Sequence, residues 1–87
     1  MNNNLSLYNI FLAVAEAGST LGAAKTLFIS QPAVSKAISK LEASLEVSLF
    51  VRSKKGVRLT DDGLILYDRI KNAFEYIDEG ESVIRER

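Results

Sequence analysis

The sequence predicts a mainly α-helical fold: three short helices, a two-stranded β-hairpin, and a long helix after it. Three observations carry that prediction. The only proline, Pro32, directly follows Ser30-Gln31, and a proline is tolerated in a helix only in its first turn. Between residues 49 and 59, two stretches rich in β-forming residues flank a basic turn that ends in glycine. From Thr60 onward, apolar residues return at alternating steps of three and four.

Taken in order, Asn4 is placed to cap a first helix running from Leu5 to about Ala17. Leu7, Ile10, Phe11 and Val14 form its inward stripe, and Gly18 suits the left-handed residue that ends such a helix. Tyr8 fits core, surface or a contact between chains, with core the commonest fate. Ser19 or Thr20 caps a second helix, Thr20 to Leu27, whose Ala23 and Ala24 let a neighbouring helix come close. Gly22 costs that helix about 1 kcal/mol relative to alanine. The Gly18-x-x-x-Gly22 spacing also occurs where membrane helices pack, but no apolar span of about 20 residues surrounds it. Only Phe28-Ile29-Ser30 separates this helix from the next, which makes the pair a helix-turn-helix. The third helix opens beside Ser30 or Gln31 and runs to about Leu45. Val34, Ile38, Leu41 and Leu45 follow an i, i+4, i+7, i+11 pattern along it, one narrow stripe for a core.

Leu49-Phe50-Val51-Arg52 and Val57-Arg58-Leu59 read as two strands joined through Ser53-Lys54-Lys55-Gly56, a hairpin placed as a wing beside the helix-turn-helix. Thr60 caps the last helix, and Asp61 and Asp62 complement its dipole. That helix can run towards Arg87, about 40 Å at 1.5 Å per residue. Tyr67, Ile70, Phe74, Ile77, Glu81 and Ile84 lie on one seam with an average step of 3.5, the spacing of a helix that pairs with another helix. Glu81 on the seam and Gly80 beside it loosen it near the end. The alternative is a helix packed wholly on its own domain. Such a length overhangs a three-helix body, however, and pairing with a symmetric copy hides the aromatic side chains. The predicted architecture is a winged helix-turn-helix over residues 3–60, with the helix-turn-helix at about 20–39 and the wing at about 49–59. A dimerisation helix over 61–87 follows.

Composition narrows the chemistry. Eighty-seven residues make one small domain whose core is thin unless a second chain helps cover it. An apolar fraction of 47% with 25% charged residues suits a folded chain. There is no run of about 18 apolar residues, and Met1-Asn2-Asn3-Asn4 is not a basic leader, so a soluble cytoplasmic protein is expected, without membrane contact. With no cysteine and no histidine, disulfides and the commonest metal ligands are excluded, and no cofactor is expected. The net charge is zero but unevenly spread. Residues 25–58 carry seven basic side chains against two carboxylates, a net of +5, while residues 59–87 carry four against eight, a net of −4. A basic middle beside an acidic tail is the footprint of a nucleic-acid surface, although segregation by chance also occurs in short chains.

The outward face of the third helix agrees with that footprint. Pro32, Ser35, Lys36, Ser39 and Lys40 stand opposite the apolar stripe, with Gln31 at the leading end and no carboxylate before Glu42. A plain amphipathic helix with a solvated face would show the same periodicity. A major groove nevertheless admits one helix and is read by hydrogen-bonding side chains of this type. On that reading Gln31 reads a base edge, with adenine the geometric favourite, and Pro32 meets a thymine methyl. Ser35 and Lys36 touch bases or backbone, and Lys40 holds phosphate. A basic hairpin beside such a helix lies along the phosphates or enters the minor groove. Arg52 is the first choice for the minor groove, and Lys54, Lys55 and Arg58 for phosphate. Ser19 and Thr20, at a helix N-terminus, are candidates for a phosphate contact, with ordinary capping the alternative.

From about Asn4 to Gly63 the residues also match a known pattern in order and at fixed spacing. Its pieces are Phe11, Val14-Ala15-Glu16, Gly18-Ser19, Ala23-Ala24, Leu27, the run Ser30 to Lys36, Ile38 and Leu41-Glu42. It continues with Leu45, Val47, Leu49-Phe50, Arg52, Gly56 to Thr60 and Gly63. In these the chain resembles the N-terminal DNA-binding domains of LysR-type bacterial transcription regulators. The resemblance implies sequence-specific binding of double-stranded DNA, with an inverted-repeat operator. It also implies a homodimer formed through the linker helix, by Tyr67, Ile70, Phe74, Ile77 and Ile84. Such regulators usually continue into a larger C-terminal domain that binds a small-molecule effector and drives tetramer formation. Nothing in this sequence corresponds to that domain, so the chain is expected to be the excised DNA-binding portion or, less favoured, a naturally short relative. Two departures stand out. The common pattern has an aromatic residue then threonine where this chain has Thr20-Leu21, and glycine where it has Glu46.

Two other functions are open to such a chain. A protein-interaction or dimerisation module could keep the fold without binding DNA. An enzyme fits poorly: there is no histidine or cysteine, no glycine-rich phosphate loop, and no serine three residues before a lysine. Adjacent Asp61 and Asp62 diverge by about 100° on a helix.

Overall fold

The caps decide where each helix begins. The computed structural model describes residues 4–87, with side chains from Ser6 onward. Its elements are α1 (Asn4–Ala17), α2 (Thr20–Leu27), α3 (Gln31–Leu45), β1 (Phe50–Ser53), β2 (Gly56–Leu59) and α4 (Asp61–Arg85). Residue 3, where the domain was expected to begin, and Met1-Asn2 lie outside the described residues. Asn4 falls inside α1 rather than before it, so its expected capping place does not hold. Ser19, not Thr20, caps α2: it is extended and its hydroxyl accepts from the Gly22 N–H at 2.9 Å. A Cβ on Gly22 would lie 2.9 Å from that hydroxyl and 3.1 Å from the Ala17 Cβ, which accounts for a glycine in the first turn. Ser30, not Gln31, caps α3 by accepting from the Ala33 N–H at 3.2 Å. Thr60 caps α4 by accepting from the Gly63 N–H at 2.9 Å.

Three helix ends turn left-handed. Gly18 does so at φ +73°, as its position predicts. Phe28 and Glu46 do so at φ +59°, where a Cβ costs roughly 1–2 kcal/mol. Each N–H closes its helix on a carbonyl four residues back, Ala24 and Glu42. The Glu46 cap thus keeps the geometry expected of a glycine and bears the strain.

α1 lies at the centre, touching α2, α3, α4 and β2. Phe11, Val14, Ala23, Val34 and Leu41 are fully buried, with Ala24, Ile38, Leu49 and Ile70 completing the core. The buried positions on α3 are Val34, Ala37, Ile38 and Leu41. Leu45, assigned to this stripe from sequence, is 41% exposed, because the helix outruns the core and ends in its cap.

The hairpin pairs Phe50 with Leu59, Val51 with Arg58, Arg52 with Val57 and Ser53 with Gly56. It is fastened at several points. The Phe50 ring stacks obliquely on Phe11, centroids 5.2 Å apart. The Val57 N–H donates to the Gly18 carbonyl at 3.0 Å, and a side chain at Gly56 would collide with that same carbonyl. At its base the Thr60 N–H donates to the Leu49 carbonyl at 3.0 Å, and the Thr60 hydroxyl to the Ser48 carbonyl at 2.7 Å.

α4 is packed at one end only. Ile70 is buried, and Leu66, Tyr67 and Phe74 lie half-buried against the core. Beyond Phe74 the helix carries Tyr76, Ile77, Val83 and Ile84 in the open, between 51% and 78% exposed. It accounts for the long axis of a molecule measuring 48 × 26 × 23 Å. Among the described residues, no helix is long and apolar enough to cross a membrane.

Candidate nucleic-acid interface

Burial of one face of α3 fixes what the other presents. With Val34, Ala37, Ile38 and Leu41 inward, Gln31, Pro32, Lys36, Ser39 and Lys40 are exposed and Ser35 is half-buried. Ser30 holds the leading end by its cap, so Gln31 stands in the first turn with its side chain clear of the core.

The wing sorts its cations by strand alternation. Residues paired across the ladder share a face, and successive residues alternate. Arg52 therefore lies on the face of Phe50, Val57 and Leu59, at its outer end. Arg58 lies on the opposite face with Val51. Lys54 and Lys55 form the two-residue tip, and all four cations are exposed. The four basic wing residues thus do not form one patch.

Residues from three separate stretches meet in a cleft of 250 Å³ between the start of α2, the start of α3 and the wing. Ser19, Thr20, Gln31, Arg52, Ser53 and Gly56 are among its walls. Ser19 uses its hydroxyl as the α2 cap. Thr20 is 8% exposed, and its hydroxyl accepts from the Gln31 side-chain amide at 3.0 Å. That tether is invisible from sequence, since 11 residues separate its ends.

Glu42 is the other residue with a role that sequence reading missed. Its Oε2 accepts from the Leu49 N–H at 2.7 Å and lies 3.4 Å from the Phe50 N–H. The carboxylate ties α3 to the start of the hairpin and is half-buried in doing so.

Of the five residues assigned to a contact between chains, Ile70 is taken up by the chain's own core and is out of a partner's reach. Tyr67 and Phe74 are divided between core and surface, and Ile77 and Ile84 are open. The structure adds a second exposed stripe: Ile65, Tyr76 and Val83 share a face of α4, roughly 110° round the helix from Ile77 and Ile84.

A short helix, a tight turn, a second helix whose polar end stands clear of the core, and a hairpin locked beside it define a winged helix-turn-helix domain. Residues 5–64 match the family model described as bacterial regulatory helix-turn-helix protein, lysR family. The HTH-type transcriptional regulator Rv2282c of Mycobacterium tuberculosis is 40% identical over 75 residues, covering 86% of this chain and 24% of that protein. YoaU of Bacillus subtilis, also an HTH-type regulator, is 52% identical over 61 residues, 69% of this chain and 21% of its own length. The structure of the BenM DNA-binding domain with benA site 1 DNA superimposes with a TM-score of 0.86 at 30% identity, covering 99% of this chain and 98% of that one. The CbnR DNA-binding domain in complex with DNA gives 0.83 at 34% identity, covering 99% and 97%. The chain belongs to the lysR family of bacterial regulatory helix-turn-helix proteins. It spans about a quarter of the length of these two curated relatives.

Proposed function

We propose that this chain binds double-stranded DNA sequence-specifically as a homodimer and serves transcription regulation in the cytoplasm, without enzymatic activity. Residues 3–60 are the DNA-binding unit and residues 61–87 the pairing helix. One observation carries the reading. Gln31 at the open end of α3 and Arg52 at the outer end of the wing share a single cleft with the N-terminus of α2. In it a base-reading amide, a minor-groove cation and a phosphate-facing helix end lie side by side. Gln31, Pro32, Ser35 and Lys36 enter the major groove, Lys40, Lys54, Lys55 and Arg58 hold phosphate, and Ser19 presents the end of α2 to the backbone. The likeness to the BenM and CbnR domains in complex with DNA supports the same mode of docking.

Beyond Phe74 the exposed apolar length of α4 supports pairing with a second copy, through Ile77, Ile84 and the open parts of Tyr67 and Phe74. A small-molecule effector would act through a C-terminal domain of the whole regulator.

The test is a salt titration on duplexes recovered from a random pool. With about four cations per protomer neutralising phosphate, log affinity falls against log salt with a slope of roughly −7 for the dimer. The recovered sites are expected to be inverted repeats, reflecting two-fold symmetry. A flat salt dependence, or no duplex retained at low salt, would overturn the assignment and leave an interaction module.

A further inference from the structure

The bond between Gln31 and Thr20 has a consequence for which base is read. Thr20 sits in the first turn of α2, 8% exposed, so its side chain is fixed by the packing around it. Gln31 is exposed, and an exposed glutamine ordinarily samples many rotamers. Here its Nε2 donates to the Thr20 Oγ1 at 3.0 Å. An amide nitrogen carries two protons, so this bond leaves one N–H and the Oε1 carbonyl unused. One donor beside one acceptor is the pair that adenine presents a match for, through N7 and the N6 amino group. Guanine offers two acceptors there, O6 and N7, which an untethered amide meets by turning its NH₂ towards them. Holding Nε2 against Thr20 fixes which end of the amide faces which way and removes that option.

We infer that Thr20 is a positioning residue for Gln31, whose hydroxyl anchors the glutamine amide in the orientation that prefers adenine over guanine. This rests on the base-reading role proposed above for Gln31. Thr20 itself touches no DNA on this account. It acts by ordering the side chain before the duplex arrives, so the entropy of fixing a flexible chain is not charged to binding.

The experiment uses the 87-residue chain and a duplex that it selects from a random pool, together with all single-base-pair variants of that duplex. Thr20→Val keeps the shape and removes the hydroxyl, Thr20→Ser keeps the hydroxyl, and Gln31→Ala removes the reader. Gln31→Ala is expected to flatten discrimination at one base pair of each half-site. Thr20→Val is expected to lower adenine-over-guanine discrimination at that same pair by about three- to tenfold, part of what a bidentate amide–adenine match supplies, because the freed amide can turn its NH₂ towards guanine. Affinity for an unrelated duplex at low salt stays unchanged, and Thr20→Ser restores the preference. In the Gln31→Ala background, Thr20→Val has no further effect on discrimination. If Thr20→Val weakened every duplex equally, or left discrimination intact where Gln31→Ala had flattened it, the anchoring role would be overturned while base reading stood. If Gln31→Ala changed discrimination nowhere, base reading would fall and the anchoring role with it.

Discussion

Both α3 and α4 are amphipathic and bury residues in the same core, yet they leave opposite chemistries outside. α3 exposes Gln31, Lys36, Ser39 and Lys40; α4, past its last half-buried aromatic, exposes Tyr76, Ile77, Val83 and Ile84. Ammonium groups and side-chain amides surrender hydration at a cost that only a partner rich in charge and hydrogen-bonding edges offsets. A broad apolar sector gains from the opposite, a dry partner, at about 25 cal/mol for each Å² removed from water. The two open faces therefore call for different classes of partner, a polyanion for α3 and another apolar helix for α4. Each should be removable without the other.

The largest effect comes from the core that both helices share. Leu41→Ala empties a site with no exposure, and the expected loss is about 2–5 kcal/mol of stability by denaturant titration. DNA retention and pairing should fail together, because the shared core is what fails. Separation begins with Ile77→Asp combined with Ile84→Asp. Sedimentation should show a folded monomer, with dimer dissociation raised about 100-fold or more. A dimer persisting in that variant would move the pairing surface off this part of α4. Gln31→Ala with Lys36→Ala should do the reverse, costing about tenfold or more in affinity for a selected duplex while the dimer runs unchanged on a sizing column. Lys40→Ala, which removes one phosphate-holding cation from each protomer, should make the dimer's salt slope shallower by about 1.8. The smallest change is a gain: Glu46→Gly relieves the left-handed cap of α3 and should add about 1 kcal/mol of stability without altering DNA affinity.

Elements governed by local chemistry were readable in the sequence. Pro32 behind Ser30, Gly18 after α1 and Thr60 before Asp61-Asp62 each act within one turn, and the boundaries of α2, α3 and α4 follow them. What escaped the sequence depends on three-dimensional neighbours. The 3.5-residue seam of α4 reads in sequence as a single surface, but Ile70 belongs to the buried core cluster, so its own chain covers it. Ala37, small and unremarked, is buried where Leu45, larger and more apolar, is not, because the core ends before α3 does. The cations were found and their faces were not, since the division between Arg52 and Arg58 needs the strand register. The bond from the Gln31 amide to the Thr20 hydroxyl joins residues 11 apart, and nothing in the place of Thr20 at a helix start foretells it.

The carboxylate of Glu42 carries a last consequence. It belongs to α3, and the amides it holds are those of Phe50, the first residue of β1, and of Leu49 just before it. Wherever that helix lies, the hairpin must go with it, because no slack remains between the two. The separation of Gln31 from Arg52 is therefore a property of the protein, set before any encounter. On the docking proposed above, a site whose grooves do not present that distance has to bend or narrow to supply it, so its pliability counts towards recognition even at base pairs no side chain reaches.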